Sequence, residues 1–277
     1  IVARLLGNKI LAALGKPFVM DLKPGASGGI GAETAAKAAP DGYTLFMLTS
    51  QLSSAAAMYT KLRYNLVEDF APISLVGTTP SLLVVNPALP VSKLADLIAL
   101  VKPRPGVLRY GTAGVGSSSH LPAVLFAAMA KVDMLHVPYK DSPGALLGTM
   151  TGEVGLSFQP LTASLPSVRS GKLKALGVTG ATRSALAPEV PPIADTIPGF
   201  EIKPWWGLSG PAGMPVAIVD KLYTTTAAVL KDADTRQRFT AIGLDIGQMT
   251  VKEFNDYTVT ELAKWSKLVK DSGAKVD

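Results

Sequence analysis

Apolar residues along this chain recur with two periods, about 3.6 and 2, and the switches between them cut it into helices and short strands. The first stripe is helical: Val2, Leu5, Leu6, Ile10, Leu11 and Leu14 share one face, and Gly15 stops it. No capping residue introduces that helix, so the sequence reads as starting partway through an N-terminal element. Residues 18–22 predict a strand, 23–29 a Gly-rich loop, about 31–39 a helix and Pro40-Asp41-Gly42 a turn. A strand over 43–48 follows and ends in Thr49 and Ser50, with further strands at 73–76 and 82–86.

Ser92 stands where an N-cap belongs, ahead of a helix that places Leu94, Leu97, Ile98 and Val101 on one face. A strand over 108–110 runs into the loop 111–120, and the apolar segment 121–130 predicts a helix. Strands are expected at 135–138, 153–158 and 175–179. A Pro-rich stretch, 188–198, precedes Trp205-Trp206-Gly207-Leu208, and one of those tryptophans is expected in the core. Pro215 suits the first turn of a helix reaching about Lys231. Thr250 and Glu253 have capping-box spacing before a last helix whose apolar face is Phe254, Tyr257, Leu262, Trp265, Leu268 and Val269. Alternating strands and helices of this kind predict an α/β protein.

Bulk composition narrows the function classes. With 277 residues, 48% hydrophobic and 17% charged, the chain has the makings of two compact domains. No unbroken apolar run approaches the ~18–20 residues a membrane-spanning helix needs. There is no cysteine and only two histidines, which excludes disulfides and thiolate chemistry and leaves no basis for a multi-histidine metal site. The net charge of +6 is scattered and has no basic face interleaved with aromatics, so no nucleic-acid partner is expected.

What chemistry the sequence holds lies where strands end. Thr49-Ser50-Gln51 and, more fully, Thr112-Ala113-Gly114 through Ser117-Ser118-Ser119-His120 place Gly, Ser and Thr between a strand and a helix. Ligands of α/β sheets bind at the carboxyl ends of strands, where free amides at the next helix N-terminus favour an anion. An ordinary βα turn with a serine cap accounts for one such loop equally well; a pair of them favours a ligand cleft. The glycine spacing is not the dinucleotide fingerprint, and Gly-x-Ser-x-Gly is absent, so neither nucleotide binding nor serine hydrolysis is favoured. Tyr139 and Lys140, at a strand end, could meet a carboxylate or could simply be a solvated terminus.

Several segments together resemble a known family: Lys23-Pro24-Gly25-Ala26-Ser27-Gly28, Ala36-Lys37-Ala38-Ala39-Pro40-Asp41-Gly42-Tyr43-Thr44, Asp69-Phe70-Ala71-Pro72, His136-Val137-Pro138-Tyr139-Lys140, Gly171-Lys172-Leu173-Lys174-Ala175-Leu176, Arg183-Ser184 and Gly210-Pro211-Ala212-Gly213. In order and over essentially the whole length, they resemble the Bug family, the TctC-type periplasmic receptors of tripartite tricarboxylate transporters. The resemblance implies a type II periplasmic-binding-protein fold of two α/β lobes, 1–84 plus 206–277 and 85–205, with a ligand cleft between them. It implies capture of a small organic carboxylate in the periplasm by a monomer without cofactor or catalysis, and hand-over to membrane permease subunits; a sensor signalling through a membrane partner is the alternative. Carried over by motif, the ligand-binding positions are Thr49, Ser50, Gln51, Thr112, Ala113, Gly114, Ser117, Ser118, Ser119, His120, Tyr139 and Lys140. Gln159 joins them where amino-acid-binding members often have Asp, and its lack of charge favours a plain carboxylate over an ammonium-bearing ligand. The resemblance also implies a strand and a Pro-Gly-Gly loop ahead of Ile1, without which the site is incomplete.

Overall fold

A computed structural model describes the backbone of residues 2–16, 18–23, 25, 28–58 and 62–272, and the side chains of these residues through Lys267 with the exception of Met58. The chain divides into two compact units, one of residues 1–78 and 205–277, the other of 79–204. The division expected from the sequence put 79–84 in the first unit and Trp205 in the second; here each lies across the boundary.

From the N-terminus, the first unit begins with α1 (Val2–Leu14), α2 (Gly29–Ala36), β1 (Phe46–Thr49), α3 (Ser50–Met58) and β2 (Phe70–Thr78). The second unit follows with β3 (Ser81–Val85), α4 (Leu94–Val101), β4 (Arg109–Thr112), α5 (His120–Ala130), β5 (Leu135–Pro138), α6 (Ser142–Thr151), β6 (Leu156–Pro160), α7 (Leu161–Arg169) and β7 (Lys174–Val178). The chain then returns to the first unit with β8 (Trp205–Pro211), α8 (Val216–Lys231), α9 (Ala233–Ala241), β9 (Asp245–Ile246) and α10 (Val251–Ser272).

In the first unit the sheet order is β1-β8-β2-β9, all antiparallel, so the late strand β8 sits between two early ones. Val2, Leu6 and Ile10 of the α1 stripe are buried with Leu222, Val229, Leu230 and Phe239. On the other face α10 docks through Phe254 and Trp265, both essentially without exposed surface. Trp205 is the core tryptophan: its ring meets Phe254 and Tyr257 edge-on, and its indole N–H donates to Glu261 at 3.3 Å. The capping box forms as expected, with Thr250 N–H donating to Glu253 Oε2 at 2.8 Å and Glu253 N–H to Thr250 Oγ1 at 3.2 Å. The side chains of Leu268 and Val269 lie outside the described residues.

The strand expected over 18–22 does not form among the described residues there, and Val19 and Leu22 are exposed. Apolar composition supplies strand propensity, but a strand also needs a neighbour to complete its ladder. Of the loop 23–29, Pro24, Ala26 and Ser27 lie outside the described residues.

The second unit's sheet runs β5-β4-β6-β3-β7. Its first three strands are parallel, and β3 pairs antiparallel with both β6 and β7. Leu82, Val84, Leu161, Leu165, Leu173 and Val178 form one face of its core. The N-cap of α4 is Lys93, not the expected Ser92. Asp96 reaches back instead, its carboxylate accepting from the Ser92 N–H, the Ser92 hydroxyl and the Lys93 N–H.

Candidate functional site

The parallel trio β5-β4-β6 has one carboxyl edge, and the segments following these strands all leave from it. Strand β4 enters the loop 113–119, which leads into α5; β5 leads through Tyr139 and Lys140 into α6; β6 ends on Gln159 and Pro160. The geometry is the one in which α/β sheets gather ligand-binding groups.

The loop holds its own shape. Gly114 (φ 99°) and Gly116 (φ 73°) take left-handed conformations that side chains resist, which folds the loop back on itself. Gly114 O then accepts from Ser117 N–H at 3.3 Å and from the Ser117 hydroxyl at 2.7 Å. Ser119 Oγ accepts from Ala113 N–H at 2.9 Å, and Thr112 Oγ1 accepts from Gly114 N–H at 3.1 Å. The hydroxyls of Ser117 and Ser119 are therefore occupied largely inside the loop. Ser118 is exposed, and among the described residues no hydrogen bond uses the backbone N–H groups of Ser118 or Ser119. These amides, just ahead of α5, are donors left over by the fold.

Beneath the loop lie two histidines and a tyrosine. Tyr110 stacks on His136 at 5.0 Å and on His120 at 6.4 Å, and the two imidazoles are 4.6 Å apart. Burial, and then His136, push the His120 pKa down to about 4, so it is neutral at pH 7; burial also lowers that of His136. Neutrality suits the bonding, because His120 Nδ1 accepts from Gly116 N–H at 3.3 Å. His136 Nε2 lies 2.6 Å from Thr112 Oγ1. Burial, and then Asp133, push the Tyr110 phenol up to about 12. Beneath the loop, then, the layer is aromatic and uncharged.

Tyr139 turns its ring across Gly111, Gly144 and Gly148, and its hydroxyl is buried against Gly148. Burial, and then the Glu153 carboxylate, raise its pKa. Lys140, the next residue, is exposed. Gln159 is 1% exposed, and its Oε1 accepts from the Ser142 hydroxyl at 2.6 Å. Ser142 escaped the sequence reading because nothing in its motif is chemical: Asp141-Ser142-Pro143-Gly144 is a helix start, with Asp141 accepting from Gly144 N–H at 2.8 Å.

Thr112, Ala113, Gly114, Ser117, Ser118, Ser119, His120, Tyr139, Lys140 and Gln159 thus share one edge of the second unit. Thr49, Ser50 and Gln51 belong to the first unit, at the β1–α3 junction. There Thr49 is half-buried and Gln51 exposed, while the buried Ser50 accepts from Trp205 N–H at 3.4 Å, which ties α3 to β8. Among the described residues no three His, Asp or Glu side chains converge as a metal site would require.

Residues 2–274 match the model of the tripartite tricarboxylate transporter family receptors, TctC. Protein BugT of Bordetella pertussis is 32% identical, over 100% of this chain and 86% of its own. A solved R. palustris protein with adipate is 34% identical, with a TM-score of 0.85 over 99% of this chain and 92% of its own. MatC of Rhodopseudomonas palustris, with bound malate, is 31% identical, with a TM-score of 0.81 over 97% and 93%. The periplasmic binding protein BugD is 28% identical, with a TM-score of 0.82 over 99% and 93%. The chain belongs to the TctC family of tripartite tricarboxylate transporter receptors, and is a solute-binding receptor, not an enzyme.

Proposed function

We propose that this receptor captures a small organic carboxylate in the periplasm and presents it to the permease subunits of a tripartite tricarboxylate transporter. The observation that carries the reading is the carboxyl edge of β5-β4-β6. It offers unused donors, the amides of Ser118 and Ser119 and the Gln159 side-chain nitrogen, above a layer of neutral His120, His136 and Tyr110. Donors without a fixed cation, with Lys140 exposed beside them, suit an anion that must be released again. Backbone amides bind carboxylate oxygens without burying a compensating charge, whose desolvation would be costly. Adipate and malate in the solved relatives support the same ligand class. In this reading Thr112, Ala113, Gly114, Ser117, Ser118, Ser119, His120, Tyr139, Lys140 and Gln159 are the ligand-binding positions of the second unit, and Thr49, Ser50 and Gln51 are ligand-binding positions on the first unit, each taken by itself.

Thermal unfolding against a panel of aliphatic diacids, hydroxy acids, tricarboxylates, aromatic acids and amino acids tests it. A dose-dependent rise with one class of acid supports the reading and names the class. A flat response to every acid, from a chain that unfolds cooperatively, overturns it.

A further inference from the structure

The side chain of Gln159 is almost wholly buried, yet its Nε2 has no hydrogen-bond partner while its Oε1 is taken by Ser142. Buried amide nitrogens are rarely left unpaired, and each exception asks for a partner that binds there. The direction of the amide is decided by Ser142. As it stands, the Ser142 hydroxyl proton and the Gln159 oxygen satisfy each other at 2.6 Å. Turned over, the nitrogen would donate to Ser142 Oγ, stranding both the serine proton and a carbonyl oxygen. Ser142 itself is fixed, as the first residue of α6 behind an Asp141 cap. Gln159 is fixed too, on the central strand of its sheet opposite Leu82.

We infer that Ser142 is a positioning residue for specificity: it holds the Gln159 amide with its NH2 group presented to the bound solute, so that the receptor selects acids carrying an oxygen acceptor there and rejects those carrying an ammonium. The inference rests on the carboxylate reading above and deepens it by naming the feature recognised beyond the anchoring carboxylate. An NH2 group donates to a hydroxyl, carbonyl or second carboxylate oxygen, but an ammonium has only donors, and two facing donors leave both unpaired. A site built to hydrogen-bond one group discriminates strongly against an analogue that cannot answer it.

Isothermal titration of the full chain with matched acids tests the inference: malate against aspartate, 2-hydroxyglutarate against glutamate, 2-hydroxyadipate against 2-aminoadipate. The wild-type chain is expected to bind the oxygen-bearing member of a pair at least about tenfold tighter, the scale of one hydrogen bond gained against one buried donor stranded. In Ser142→Ala the amide is free to turn over, and the preference within the pair should shrink several-fold. Ser142→Thr, which keeps the hydroxyl, should restore it. Gln159→Glu, which leaves α6 untouched and replaces the donor by an acceptor, should reverse the preference toward the amino acid. A purely structural Ser142 would lower the unfolding midpoint of the free protein and leave the ratio within the pair unchanged, and that result overturns the inference while the receptor reading stands. An unchanged ratio in Gln159→Glu overturns it as well, even if Ser142→Ala does not fold. Binding of none of these acids by the wild type overturns this inference, while the carboxylate reading stands or falls by the wider acid panel above.

Discussion

A single imidazole gives the second unit a predictable response to acid. His120 in the folded chain takes up a proton only near pH 4, because burial and the neighbouring His136 disfavour its charged form. In the unfolded chain it does so near its usual 6.5. Above pH 6.5 both states are neutral and nothing is lost. As pH falls from 6.5 toward 4, the unfolded state gains a proton that the folded state refuses, so folding weakens by up to about 3 kcal/mol. The lowered pKa of His136 acts in the same direction. Urea unfolding across this range should show the decline, and His120→Gln should flatten it. Protonation also turns Nδ1 from acceptor to donor, which breaks the bond from Gly116 N–H and loosens the loop from below. A decline equally steep in His120→Gln would place its origin elsewhere.

Contacts between elements depend on residues that leave little room. Strand β8 brings Gly207 against α10 so closely that an added methyl would overlap the Phe254 ring, which is fully buried and has nowhere to move. Gly207→Ala is therefore expected to lower stability by about 3 kcal/mol, the upper end of ordinary overpacking. Thr250→Ala, which removes one half of the α10 capping box, should cost about 1 kcal/mol by the same urea assay. At this scale the sequence is legible where a period or a cap is strong. The α1 stripe, the Thr250–Glu253 box and the strands of the second sheet all stand near their expected places. It is less legible where tertiary packing decides: α6 carries Gly144 and Gly148, α7 carries Pro166, and α9 is mostly polar, so none has a clean apolar stripe. The candidate site divides the same way. The Gly-Ser loop before α5 announces itself by composition, whereas Ser142 matters only through a partner seventeen residues away, which spacing cannot show.

For the whole molecule, capture of a solute is a stability term. A ligand held at about 100 times its dissociation constant adds about 2.7 kcal/mol to the folded state. For a chain near this size each kcal/mol is worth roughly 2–4 °C, so the true solute should raise the midpoint by several degrees, and an acid of the wrong class should leave it in place. Sequence reading placed the chain in its family because short motifs recur in order along most of its length. It could not place the boundary between units, since only Thr79 and Pro80 separate β2 from β3 and only pairing tells which sheet owns each.

The placement of β8 between β1 and β2 also sets a timetable. Residues 79–204 form one uninterrupted stretch whose sheet is complete as soon as it has been synthesised. The first unit is not so free, because β1 and β2 have no direct pairing and meet only through a strand that leaves the ribosome after that whole stretch. At roughly 5–20 residues per second, that delay is on the order of ten seconds. The insert is thus the part that folds first, and the N-terminal segment, with its apolar strands still unpaired, is where chaperones and proteases find the newborn chain.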